Sequence, residues 1–329
     1  MISPIVKYFS GNQFFSAIVF LLFLWFLFEI RGILIALFIA YIITAALAPF
    51  ADFLRKKRVP KSLAVLIPYL TTIVLLLALI IPLIPFFLAQ LQSLFSSFPS
   101  YLDSAARIFG VSVNASQVRG FFEQELASIS RNAVLLTTSV FGGLFSVLTV
   151  LIISLYLLGD HEKIKDDIVR LFAKQRQAKI YKIFSQVEEK LGAWLRGQVI
   201  LSLFIGFITW IALTVIDLDF ALPLALLAGM LEIIPTMGPI IAAVPAVIVA
   251  LTVSPTTALV VVVIYMLIQA VENNILVPRI MEKAVGLHPV AVILGVIIGS
   301  KLLGVAGALL SIPFISLVVV VYRNLTTDV

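Results

Sequence analysis

The chain has 329 residues, 62% of them hydrophobic and only 12% charged, with a mean hydropathy of +1.17. Soluble domains carry about 25% charged residues, so this composition excludes a soluble globular protein and implies an all-α polytopic membrane protein. With no cysteine and 2 histidines, disulfides, thiol nucleophiles, thiolate metal sites and histidine metal clusters are excluded, and a net charge of +6 reads as loop bias toward the cytoplasm rather than nucleic-acid binding.

Residues 1–88 are predicted to hold the N-terminal transmembrane spans. Lys7 precedes a first apolar run with no small-residue cleavage site after it, so that run is read as a retained span rather than a signal peptide. A crossing helix needs about 20 apolar residues. Two spans are expected, 14–28 and 33–50, joined by a tight turn at EIRG, 29–32. The short loop ADFLRKKRVPK, 51–61, carries five basic residues against one acid and marks the cytoplasmic side. A third span covers 62–88, with Pro68, Pro82 and Pro85 in or near it.

Residues 89–133 are serine-rich, with three basic and three acidic residues, and are predicted to form an extracytoplasmic, partly amphipathic helical segment. A span at 134–158 returns inward. Residues 159–198 carry nine basic and six acidic residues and read as cytoplasmic or interfacial helices. Within them Ile180, Ile183, Phe184, Val187, Leu191 and Trp194 share one helical face, suited either to a helix in the membrane interface or to one packed on protein.

Residues 199–329 read as the transport region. A span at 199–216 ends at Asp217 and Asp219. Residues 220–253 are too long for one span and too short for two. PTMGP, 235–239, divides them into arms of about 14 residues, each about 20 Å long as helix, and a re-entrant hairpin with PTMGP at its tip follows. Residues 256–277 form an ordinary inward span. After His288 and Pro289 the pattern recurs: a short arm, 290–300, an interruption at Lys301, Gly304 and Gly307, then an arm containing Pro313 and ending at Arg323. This is a second hairpin, entered from the cytoplasm, or a kink in a full span. The fold expected is thus about six full spans plus two re-entrant hairpins entering from opposite faces, with both chain ends cytoplasmic. Paired interrupted segments of this kind point to a transporter site.

Glu232 lies one turn before the Pro235 break. It either binds a proton, a cation or a substrate hydroxyl at the hairpin tip, or hydrogen-bonds the freed backbone there. Pro235, Gly238 and Pro239 read as architecture, as do Pro289, Gly304, Gly307 and Pro313. Gln269, Glu272 and Asn273 recur at i, i+3 and i+4, and with Asn274 form a polar cluster suited to lining a pathway or tying a helix end. Lys301, at the second tip, is expected to pair with Glu232 or Glu272. His288 is expected to order the hairpin entrance, and Arg196 and Gln198 sit at a membrane boundary where arginine snorkels. No phosphate-binding P-loop, HExxH or hydrolase elbow occurs, so no enzyme, ATP-driven pump or cofactor is expected.

LRGQ at 195–198, LEIIPTMGPIIAAVPA at 231–246, QAVENNILVPRIM at 269–281, GLHP at 286–289 and GVAGALLSIP at 304–313 resemble, in order, the signature segments of the autoinducer-2 exporter family of bacterial and archaeal permeases. The resemblance covers nearly the whole chain. It implies a homo-oligomer, plausibly a pentamer, hairpins near the substrate path, an elevator-like motion, and the lipid bilayer and a small polar substrate or a cation as partners. The function expected is a secondary transporter in the cell membrane, exporting a small polar metabolite such as autoinducer-2. The alternatives are a sodium(cation)–proton antiporter on the same scaffold and a non-transporting membrane scaffold protein.

Overall fold

The computed structural model describes residues 13–75, 133–234, 237–281 and 289–326, and every regular element among them is helical. The expectations for residues 89–132, for Pro235 and for His288 lie outside the described residues. The helices are α1 (Gln13–Glu29), α2 (Arg31–Lys56), α3 (Lys61–Leu75), α4 (Ala133–Gly159), α5 (His161–Arg170) and α6 (Lys174–Val215). They continue with α7 (Ala221–Leu231), α8 (Met237–Val253), α9 (Pro255–Val271), a π-turn (Glu272–Leu276), α10 (Val277–Met281) and α11 (Pro289–Thr326).

The tight turn expected at 29–32 is not formed. Only Ile30 separates α1 from α2, its φ of −86° and ψ of 7° stay near the helical region, and helical hydrogen bonds continue through Ile30 N–H to Phe26 O and Leu34 N–H to Ile30 O. Glu29, Arg31 and Gly32 resemble a turn in composition, but one near-helical residue bends a helix rather than reversing it.

Helix α2 contains Pro49, which cannot donate to the carbonyl of Ala45 four residues earlier. Arg196 of α6 supplies that donor, its Nη1 lying 3.2 Å from Ala45 O and 3.0 Å from Ala46 O. Gly192, one turn earlier on α6, touches the same Ala45 carbonyl with no room for a Cβ. Arginine therefore serves the backbone here instead of snorkelling. A second polar joint ties α2, α3 and α4 together: Thr44 Oγ1 lies 3.0 Å from Ser154 Oγ, and the Tyr69 hydroxyl bonds Ser154 as well.

Helix α6 has 42 residues, about 63 Å, roughly twice the thickness of the hydrocarbon core. Its charges all lie between Lys174 and Arg196, and residues 197–215 are long and apolar enough to cross a membrane. The apolar face of the charged half is buried against protein. Ile183, Val187, Leu191 and Trp194 form one cluster with Ile42 and Ala45 of α2 and with Ile312 and Val320 of α11.

Both interrupted segments fold back on themselves. Gly238, at the start of α8, abuts the Leu231 carbonyl at the end of α7, where a Cβ would overlap the oxygen. In α11, Gly304 adopts φ 62°, ψ −141°, a conformation open to glycine. The helix doubles back there: Gly299 meets Gly307 backbone to backbone, and Gly295 meets the Ile315 side chain. The two arms of α11 on either side of Gly304 therefore lie side by side. The two hairpins lie on α6 from opposite ends. The first follows it from Leu224 beside Leu213 to Glu232 beside Gln198. The second has Asn324 bonded to Gln186 at 2.7 Å. The first packs closely because Gly229 faces Gly206, a Cβ on Gly229 falling 2.8 Å from Ser202 O.

Candidate functional site

Helix α7 ends at Leu231, and Glu232 N–H makes one last helical bond, 3.0 Å to Ala228 O. The Glu232 carbonyl stands beyond that ladder. Gln198 of α6 satisfies it, donating from Nε2 at 2.9 Å, with both residues buried. Pro239 sits in the first turn of α8, where a proline costs no hydrogen bond. Chain reversal and the donor from α6 together turn the Glu232 side chain into protein: the residue is 3% exposed.

The facing wall is made by the end of α9. Pro278, inside α10, lacks an N–H for the carbonyl four residues earlier, and the helix widens into the π-turn Glu272–Leu276 just before it. Such π-turns are frequent at functional sites. The widening decides where the polar residues go. Glu272 is 6% exposed, whereas Asn273 and Asn274 are exposed, and Asn274 Nδ2 donates to Ala270 O at 2.8 Å. The single face expected for Gln269, Glu272 and Asn273 does not survive the π-turn. The inward stripe is instead Tyr265, Gln269 and Glu272, at i, i+4 and i+7.

The carboxyl groups of Glu232 and Glu272 adjoin each other, close enough for one proton to bridge them. Gln269 Nε2 donates to Glu272 Oε2 at 3.0 Å, and Glu232 Oε2 is buried without a protein donor. A carboxylate oxygen accepts but does not donate. Two buried carboxyls in contact therefore need a proton between them or a cation beside them. Such a pair can hold one positive charge, at a point where a broken helix meets a widened one. No group of three or more metal-ligating side chains occurs among the described residues.

The pairing expected for Lys301 is not formed. Its side chain is exposed, and no ion pair links it to Glu232 or Glu272. Glu232 is already engaged with Glu272, and α11 packs on α6 rather than on α7 or α8. The structure therefore unites Glu232, Gln269 and Glu272 and leaves Asn273, Asn274 and Lys301 outside. It adds two residues that the sequence reading did not assign to the site. Gln198 carried one usable signal, an amide at the start of a charge-free span. Tyr265 is 8% exposed with an unpartnered hydroxyl, and its i+7 spacing to Glu272 is visible in the sequence. A cavity of about 410 Å³ lies away from this pair, between α2, α4, α5 and α6.

Residues 14–327 match the family model described as AI-2E family transporter. Among similar curated proteins, "Putative transport protein YueF" of Bacillus subtilis (strain 168) is 29% identical over 290 residues, covering 83% of this chain and 79% of the relative. "AI-2 transport protein TqsA" of Escherichia coli (strain K12) is 29% identical over 293 residues, covering 85% of this chain and 81% of the relative.

Proposed function

Since the chain belongs to the AI-2E family transporters, we propose that it is a secondary transporter that exports a small polar metabolite and uses the Glu232–Glu272 pair to couple that export to a proton or cation. The observation that carries this reading is the contact between two buried carboxyls at a hairpin break and a π-turn. Two acids brought together in a membrane protein cost stability unless a positive charge joins them, and a site that must gain and lose such a charge is what coupling requires. A relative is named for AI-2, and a molecule of that kind is the substrate to test first.

In this reading the hairpins enter a cytoplasmic membrane from opposite faces, which their approach to α6 from opposite ends supports. The first hairpin, α6 and α9 share a buried core and would travel together in an elevator-like motion. A homo-oligomer, pentameric by family resemblance, would hold the rest still. The second reading is cation–proton antiport. Glu232 Oε2, buried without a donor, favours it, because carboxylate oxygens suit a hard cation.

Purified protein in liposomes, under separately imposed proton and sodium gradients, tests both. Metabolite export driven by either gradient and lost in Glu272→Gln supports the first reading. Gradient exchange with no metabolite flux selects the antiporter. No flux of either kind, with cellular function kept in Glu232→Gln and Glu272→Gln but abolished by deleting residues 89–133, would leave the non-transporting scaffold.

A further inference from the structure

Outside the carboxyl pair, charged groups among the described residues also converge at the junction of α2, α5 and α6. Glu188 of α6 is the hub. Its Oε1 lies 2.8 Å from His161 Nε2 and 3.2 Å from the Tyr41 hydroxyl of α2, which donates to it. Its Oε2 accepts from Lys165 Nζ at 3.2 Å. Lys165 also donates to Ser185 Oγ at 2.7 Å and lies 4.2 Å from the centre of the Tyr181 ring. The side chains of His161, Lys165 and Glu188 are 16%, 7% and 14% exposed. Three helices thus meet on one carboxylate, and α5 contributes both cations.

Helix α5 has 10 residues, and a helix shorter than about 12 residues is marginal alone. It stays folded because it is docked. Its apolar side, Ile164 and Ile168, closes the cavity of about 410 Å³ whose other walls include Phe38 of α2 and Phe184 of α6. His161 is the first residue of α5, where the helix dipole disfavours a positive charge. Its charged form therefore depends on Glu188.

We propose that α5 is a proton-operated latch: protonated His161, with Lys165, clamps it onto Glu188 of α6 and closes the cavity, and loss of the His161 proton releases it.

The groups facing His161 are Glu188 from α6, Glu162 and Lys165 from α5, and, through Glu188, Tyr41 from α2. The Glu188 carboxylate 2.8 Å away raises the His161 pKa from its ordinary value near 6.5, burial and Lys165 oppose it, and the charge of Glu162 adds to the rise. A histidine held above its unfolded value contributes its full docking energy below that value. It loses this contribution as pH climbs through the raised one. The latch is thus closed below the ordinary histidine value of about 6.5 and opens as pH climbs through the raised one. The basic-loop reading places it on the cytoplasmic face. Its release frees the charged half of α6, the helix whose Gln198 holds the hairpin tip 10 residues further on.

Hydrogen–deuterium exchange of the full chain in lipid nanodiscs, from pH 6 to 9 and corrected for intrinsic rates, tests this. Protection of residues 161–170 should fall severalfold as pH rises. In His161→Arg, whose charge is fixed, it should stay high throughout. In His161→Gln it should be low and flat while the cores of α6 and α9 keep wild-type protection. Protection that does not vary with pH in the wild type, or that falls equally in His161→Arg, overturns the latch.

Discussion

Replacing Glu232 with glutamine and, separately, with leucine distinguishes holding the site together from carrying a charge through it. In Glu232→Gln the side-chain amide stands where the shared proton stands and donates to Glu272. Gln198 still serves the main-chain carbonyl. No buried group loses a partner, so stability should change by less than about 1 kcal/mol. In Glu232→Leu the amide is absent, and Glu272, 6% exposed, retains only its bond from Gln269. A hydrogen bond to a charged group contributes about 1.5–3 kcal/mol, and leaving such a group buried without its partner costs a similar amount. The leucine variant should therefore lie about 2–3 kcal/mol below the glutamine variant. Neither side chain releases a proton, so both should lose gradient-driven flux.

The assay is thermal unfolding in nanodiscs beside flux in liposomes under a proton gradient. The expected pattern is a stable, uncoupled glutamine variant and a destabilised, uncoupled leucine variant. Equal destabilisation of the two would refute the shared-proton contact, because the amide would then be failing to replace it. Full proton-driven flux in Glu232→Gln would reduce Glu232 to a cap on the broken helix.

Glycine substitutions should separate sterics from backbone conformation. A Cβ at Gly307 meets the Gly299 carbonyl, so Gly307→Ala should cost about 1–3 kcal/mol or more by pushing the hairpin arms apart, seen as lost protection across residues 290–322. Gly304→Ala meets nothing within 4 Å but must hold φ 62°, so a loss of about 1–3 kcal/mol there is local to the turn. Gln198→Leu leaves the Glu232 carbonyl buried without a donor and should cost about 1–3 kcal/mol in thermal unfolding. Arg196→Met should destabilise the wild type but much less the Pro49→Ala background, where the Ala45 carbonyl regains a helical donor. A double-mutant cycle should give a coupling of about 0.5–3 kcal/mol, and additive effects would break the link between the two residues.

Much of the fold was legible because the membrane limits the choice of structure. Apolar run length sets where helices can cross, and a proline–glycine interruption within a run sets where one must break. PTMGP and the stretch from Gly299 to Gly307 were therefore readable as reversals, and Gly238 and Gly304 stand at them. The turn at 29–32 misled because composition alone does not distinguish a bend from a reversal. Lys301 misled for a different reason. A lysine between two apolar arms reads as buried, yet it sits at an exposed tip, and burial of a tip depends on neighbours that the local sequence does not name. Glu232 and Glu272 were both singled out, but as separate features. Their contact depends on a π-turn whose cause, Pro278, lies six residues beyond Glu272, and helical spacing gives the wrong face for Asn273 once the turn widens.

The LRGQ stretch shows what the breaks require in return. Pro49 leaves a carbonyl bare in α2, and the end of α7 leaves another at Glu232. One turn of α6 answers both, Arg196 on one side and Gln198 on the other. In hydrocarbon such carbonyls have no water to turn to, so two broken helices are stable only while α6 stays registered against each. The consequence is mechanical. If the first hairpin moves during transport, either α6 moves with it and Arg196 must slip from Ala45 and Ala46, or α6 stays and Gln198 must release Glu232. The close approach of Gly206 to Gly229 and the buried core shared by Leu213 and Leu224 favour the first course. The Arg196 contacts then become the joint that opens, and a guanidinium reaching two successive carbonyls is suited to transferring from one to the next.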